Sequence, residues 1–168
     1  STTAAGFYSC DDHLDLWNLP GDLWKDRLPA KLRERAPLVV EKDGTSLWMC
    51  DGGVMGPYRI LSSYSAIRRA GIEDDGSRAS NAKLRLADMD RDGLHASVIY
   101  GPHLFGLPIA DPDLRAAVLA GYNDWASEFN AHAPDRLCVL AVLPTDSPER
   151  ATAELERVAK AGHRGAII

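Results

Sequence analysis

Cysteine is scarce in this sequence: Cys10, Cys50 and Cys138 are the whole complement. They are odd in number, far apart and without C-x-x-C spacing. That argues against a disulfide framework and a zinc ribbon, and suits a reducing compartment. No run of about 18 apolar residues occurs, so no transmembrane helix is expected. No basic segment followed by an apolar one opens the sequence, so no signal peptide is expected and the protein reads as cytoplasmic. An excess of positive charge is missing too. The net charge is −5, with the basic residues dispersed apart from pairs such as Arg68-Arg69, which argues against a partner held through phosphates. Neither a G-x-G-x-x-G nor a G-x-x-x-x-G-K-[ST] fingerprint is present, so a nucleotide-binding open sheet gains no support.

What is present is enough for one domain, spanning 1–168, with a real core: 45% of the residues are hydrophobic and 26% charged. The back half has a rhythm. ASVIY (96–100) is β-branched and continuously apolar, as expected of a strand buried on both faces. Asp111-Pro112 supplies an N-cap acid and a first-turn proline, and Leu114, Val118, Tyr122, Trp125 and Phe129 follow at helical spacing. LCVLAVLP (137–144) reads as the next strand. Ser147-Pro148 opens another helix, with Ala151, Leu155, Val158 and Ala159 as its apolar stripe and Gly162 as its stop. RGAII begins a further strand. Upstream, AKLRLADMDRDGL (82–94) reads as a helix ending near Gly93, with GFYSC as the strand before it. Such alternation implies a parallel sheet with right-handed crossovers. Four strands suit half of a (β/α)8 barrel or an open doubly wound sheet. The apolar end GHRGAII reads as a strand just begun, so the chain is expected to be the front part of something larger.

Residues 14–81 break the rhythm. They hold Trp17, Trp24, Trp48 and several prolines and glycines, and they read either as a lid over a site or as a poorly periodic subdomain on a barrel rim.

SCDDHLDLW (9–17) carries the chemistry. Asp11 and His13 sit two apart at the C-terminal end of the first strand, so alternation turns both side chains to one face and Asp12 to the other. Barrel enzymes place their chemistry at that end. A carboxylate and a neutral imidazole are reasonable ligands for zinc or manganese. The same residues also suit a loop in which an aspartate caps a helix and the histidine is solvated. His103, after the second strand, could contact substrate, as could Arg59 on the insertion by forking onto a carboxylate. A packing histidine and a solvated arginine are the plainer readings. Tyr122 and Trp125 read as packing residues. His95, His132 and His163 read as structural, and Cys10 as core filling.

Four stretches, in order, resemble one family: SCDDHLDLW, LADMDRDGLHASVIYGP, GYNDWASEFNAHAPDRLCVLAVLP, and the succession Glu-Arg-Ala, Glu-Leu-Glu-Arg and Gly-His-Arg-Gly-Ala. Together they are similar to the N-terminal half of the amidohydrolase-related family, the branch with aminocarboxymuconate semialdehyde decarboxylase and related hydratases and hydrolases. The resemblance implies about four βα units of a distorted (β/α)8 TIM barrel, with a long insertion after the first strand. It also implies a divalent metal at the mouth, zinc first and manganese second. Asp11 and His13 match the first-strand ligand pair, where members often carry His-x-His. The further ligands and the catalytic residues would lie beyond Ile168. The implied activity is hydrolysis by a metal-activated water on a carbonyl-type substrate. The alternatives are non-oxidative decarboxylation of a carboxylated aromatic or unsaturated acid, and a catalytically silent half-barrel acting by assembly. The expected partners are a small-molecule substrate and a second copy of the chain, with neither nucleic acid nor membrane.

Overall fold

The computed structural model describes residues 6–59, 70–102 and 109–168. Strand β1 spans Phe7–His13 and is followed by a short 3-10 turn, Leu16–Asn18. A second 3-10 turn, Ala30–Arg35, leads into β2 (Leu38–Lys42), β3 (Thr45–Cys50) and β4 (Gly53–Pro57), which form an antiparallel meander. Its hairpins turn at Asp43-Gly44 and Asp51-Gly52, all four residues at positive φ, as two-residue hairpin loops of this composition require.

Helix α1 (Ala82–Asp92) starts where the Asn81 side chain accepts the Leu84 N–H, and stops at Gly93, whose φ is 73°. Next come β5 (Leu94–Tyr100), α2 (Pro112–Ala131), β6 (Leu137–Val139), β7 (Ala141–Val142), α3 (Pro148–Lys160) and β8 (Ala166–Ile167). The Asp111 carboxylate caps α2 by accepting the Asp113 and Leu114 N–H groups, and the Ser147 hydroxyl caps α3 by accepting that of Arg150. The parallel strands run in the order β1-β5-β6, with β7-β8 as a second parallel pair. On the helix side Ser97, Ile99, Leu137 and Val139 are buried. The opposite side is a hollow lined by Tyr8, Cys10, Ala96, Val98, Cys138 and Arg164.

Three expectations need correction. LCVLAVLP is not one strand, because its halves pair with different neighbours, β6 with β5 and β7 with β8. Two asparagines seven apart on α2 satisfy the backbone around the break. The Asn130 amide bonds both N–H and C=O of Val139 (2.7 and 3.0 Å), and the Asn123 amide bonds both of Val142 (2.8 and 3.0 Å). Seven helical residues rise about 10.5 Å and three strand residues about 10 Å, so the two clamps stay in register. Second, Leu155 and Ala159 of the proposed α3 stripe are exposed, and Val158 alone of that stripe is fully buried. Third, Cys10 is exposed on the hollow side rather than packed in the core.

The segment after β1 packs firmly on α2. Trp24 is fully buried and its indole donates to Val118 O at 2.8 Å, a close approach that Gly121 permits. Trp48 meets Trp24 edge-on at 5.1 Å, and Tyr58 meets Trp48 likewise at 5.5 Å. On the outside, Arg35 forks onto Asp51 (2.7 and 2.7 Å) and reaches Asp111 at 2.8 Å, tying the meander to the α2 cap. The Arg35 hydrogen bonds hold both carboxyls below the usual aspartate range. A carboxyl with a depressed folded pKa stabilises above its unfolded value, about 3.9. That contribution disappears as pH falls through the folded value. Thermal melts should therefore vary little between pH 5 and 7 by this route and drop below about pH 4. Asp51→Asn should show a shallower acid drop than the parent, and equal drops would remove the network as the cause.

Tyr122 offers another test. Its ring is fully buried, its hydroxyl lies against Gly101, and among the described residues the hydroxyl has no hydrogen-bond partner. Burial pushes the phenol far above its ordinary range. An unpaired buried hydroxyl costs about 1–3 kcal/mol, so Tyr122→Phe should leave the midpoint of urea unfolding unchanged or raise it. A loss above about 1 kcal/mol would show that the hydroxyl is satisfied after all.

Candidate metal centre

Asp11-Asp12-His13 forms the C-terminal end of β1, and the strand is irregular there. Ser9 pairs with Ser97 and Asp12 with Ile99, so three steps on β1 match two on β5. One extra residue is a β-bulge, and it reverses the face of everything after it. Ser9 and Asp12 consequently share the helix side. His13 pairs with Tyr100, whose ring it stacks on at 5.8 Å and 29°. His13 Nε2 lies 3.2 Å from Asp11 Oδ1, with the imidazole half-exposed and the carboxylate open to solvent. Alternation already puts Asp11 and His13 on a common face, and the bulge decides which side of the sheet that face is on.

Two donors bound about 2.1 Å from one divalent ion at tetrahedral to right angles lie about 3.0–3.4 Å apart. The Asp11–His13 contact is itself a hydrogen bond, and its 3.2 Å separation also fits that window, with the carboxylate open to solvent and the imidazole half-exposed. Among the described residues no group of three or more His, Cys, Asp or Glu side chains gathers to hold an ion. These residues can therefore supply one edge of a coordination sphere and no more.

Beneath this pair, the Asp12 carboxylate accepts from Ser9 Oγ (3.0 Å), from Arg85 Nη2 (3.0 Å) and from Ser97 Oγ. Burial pushes the Asp12 carboxyl up, but the Ser97 hydroxyl, the Arg85 charge and the Ser9 hydroxyl together outweigh it and hold it low. Arg85, on α1, also donates to Ala79 O at 3.2 Å. Sequence reasoning left this cluster out. The bulge that brings Ser9 and Asp12 together has no local signature, and Arg85 is 73 positions away.

Arg59 stands on the segment that flanks the end of β1. Its backbone N–H bonds Trp17 O (3.0 Å), its guanidinium donates to Asn18 O (2.9 Å), and it lies over the Tyr58 ring at 4.8 Å. Its φ is 56°, a left-handed conformation uncommon for a residue of this size. Asn18 in turn donates to Gly76 O and accepts from Ser80. Arg59 is therefore held against Trp17, Asn18 and Tyr58. His103 lies outside the described residues. His163 is buried with Nε2 2.9 Å from Asn123 O, which fits a structural role, and His95 sits inside β5 against Tyr8.

A family profile for amidohydrolases matches residues 10–168. The chain belongs to the amidohydrolase family. No functionally curated protein matches the sequence significantly. Among solved structures, an amidohydrolase from Mycobacterium avium subsp. paratuberculosis K-10 superposes with a TM-score of 0.69 at 17% identity, over 94% of this chain and 47% of its own. The 2,6-dihydroxybenzoate decarboxylase from Rhizobium gives a TM-score of 0.52 at 21% identity, over 97% of this chain and 38% of its own. A dihydroxybenzoic acid decarboxylase from Polaromonas sp. JS666, with bound manganese and 2-nitroresorcinol, gives 0.50 at 24% identity over 97% and 38%. These likenesses show a shared α/β fold. This chain spans less than half the length of each of these three structures. No helix among the described residues is long and apolar enough to cross a membrane.

Proposed function

We propose that this chain forms the first half of a distorted (β/α)8 barrel, and that Asp11 and His13 are its first-strand ligands to a divalent metal, zinc or manganese. The observation that carries the reading is the convergence of Asp11 Oδ1 and His13 Nε2 at 3.2 Å on the open side of β1. Membership of the amidohydrolase family over residues 10–168 supports it. The proposed activity is hydrolysis of a carbonyl-type small molecule. Asp11 and His13 would hold a divalent ion that, when bound, would supply Lewis acidity to a substrate oxygen or a water.

The residues of this chain hold and shape. Asp11 brings negative charge that offsets the ion, and His13 presents Nε2 from a ring braced on Tyr100. The meander forms a fixed wall, and Arg59, held at Asn18 and Tyr58, is the proposed contact for an anionic substrate group. His103 is proposed as a second substrate contact. The acid and base that move protons are expected among residues beyond Ile168.

Non-oxidative decarboxylation is the second reading, supported by the two dihydroxybenzoate decarboxylases among the structural neighbours. One screen separates the two: the intact protein, loaded with zinc or manganese, is assayed for CO2 release from dihydroxybenzoates and for hydrolysis of esters, amides and lactones. Turnover confined to hydrolysis bears out the first reading. CO2 release moves the protein to the second. No turnover with either metal would leave assembly as the chain's role and overturn both.

A further inference from the structure

We infer that Asp12 is a positioning residue: its carboxylate, clamped by Ser9, Ser97 and Arg85, holds the β1 bulge that turns Asp11 and His13 together towards the metal. The inference rests on the metal reading of Asp11 and His13 and deepens it.

Two observations carry it. The bulge lies between Ser9 and Asp12, and both of its ends are joined by the Ser9–Asp12 hydrogen bond at 3.0 Å. That bond closes a loop of three residue steps, fixing the extra residue in place rather than leaving it free to slip along the ladder. A slip of one residue would return Asp11 and His13 to the face that Ser9 occupies, against α1. The second observation is that the anchor is rigid on its far side. Ser97 is 1% exposed in the middle of β5, and the Arg85 side chain is 11% exposed on α1, held also by Ala79 O. Asp12 therefore joins β1 to two neighbouring elements exactly one residue from each proposed ligand. Partners that orient metal ligands without touching the metal typically alter affinity by about 10–100-fold when removed.

The test is manganese affinity of the intact protein, read by electron paramagnetic resonance titration, with thermal melts run in parallel. Asp12→Asn keeps the side-chain shape but loses the charge that clamps Arg85, and should weaken manganese binding by about 10–100-fold while the protein stays folded at the assay temperature. Ser97→Ala, which removes a single donor, should weaken binding in the same direction by less. It also serves if Asp12→Asn fails to fold. Asp12→Glu should recover part of the loss. His13→Ala is the reference that separates the two claims. If His13→Ala abolishes binding while Asp12→Asn and Ser97→Ala bind like the parent, the positioning role is overturned and the metal reading stands. If His13→Ala binds like the parent, the metal reading itself fails. A lowered melting point with unchanged manganese affinity would make Asp12 merely structural.

Discussion

Replacing His13 with alanine in the intact protein is expected to lower turnover by about 10³-fold or more, equivalent to about 4 kcal/mol of barrier. On the proposed metal reading Asp11 and His13 are this chain's two donors, so losing His13 would halve its hold on the ion. The remaining carboxylate of Asp11 is almost wholly exposed, and water competes for its place. Because His13 is itself half-exposed and stacks on one ring face of Tyr100, the substitution removes little buried surface. Its effect on stability should therefore stay under about 1 kcal/mol. Activity lost with a parental melting curve is the expected combination. Unchanged activity would remove His13 from the site, and joint loss of activity and folding would make it a packing residue.

The second large effect concerns the β2–β4 meander. Trp24→Ala should destabilise the protein by about 3–5 kcal/mol, the range for large aromatic truncations in a packed core. Trp24 is fully buried, donates to Val118 O and meets Trp48 edge-on, so one deletion removes a hydrogen bond, a ring contact and the seat on Gly121. Trp24→Phe keeps most of the volume and should cost less. Urea unfolding gives the magnitude, and hydrogen exchange gives the place. In Trp24→Ala the amides of β2–β4 should lose protection while those of β5, β6 and α2 keep theirs. If Trp24→Ala costs under about 1 kcal/mol, the meander does not depend on this anchor and a movable lid becomes the better account.

The α/β alternation was readable because strong local signals agreed with the packing. Asp111-Pro112 and Ser147-Pro148 cap helices where expected, and Gly93 stops α1 in the left-handed conformation. What escaped was decided at a distance. The split at Leu140 depends on which neighbour each half of the strand meets. The polar cue for it was present, since Asn123 and Asn130 recur on an otherwise apolar helix face, but side-chain clamps on a strand cannot be told from packing by spacing alone. The three-stranded meander was hidden because residues 38–57 mix short strands with tight Asp-Gly turns and show no long period.

The common face of Asp11 and His13 was legible by alternation, whereas the side of the sheet it lies on is set by the bulge. The Ser9–Asp12–Arg85–Ser97 cluster was not legible, since it needs the bulge and a contact across 73 positions. Tyr-Asn-Asp-Trp (122–125), which supported the family resemblance, is structural in this chain. Tyr122 fills the space under Gly101, Asn123 clamps Val142, Asp124 pairs with Arg157 at 2.5 Å, and Trp125 is core. The part of the motif that looks most like chemistry is thus mainly architecture, and the chemistry is proposed for the short stretch at the end of β1.

The most direct measurement is the metal content of the intact protein, purified in parallel as the parent and as His13→Ala and equilibrated with excess zinc or manganese before gel filtration. The account expects about one tightly held divalent ion per chain in the parent and a loss of most of it in the variant. Equal metal content in the two proteins would contradict it.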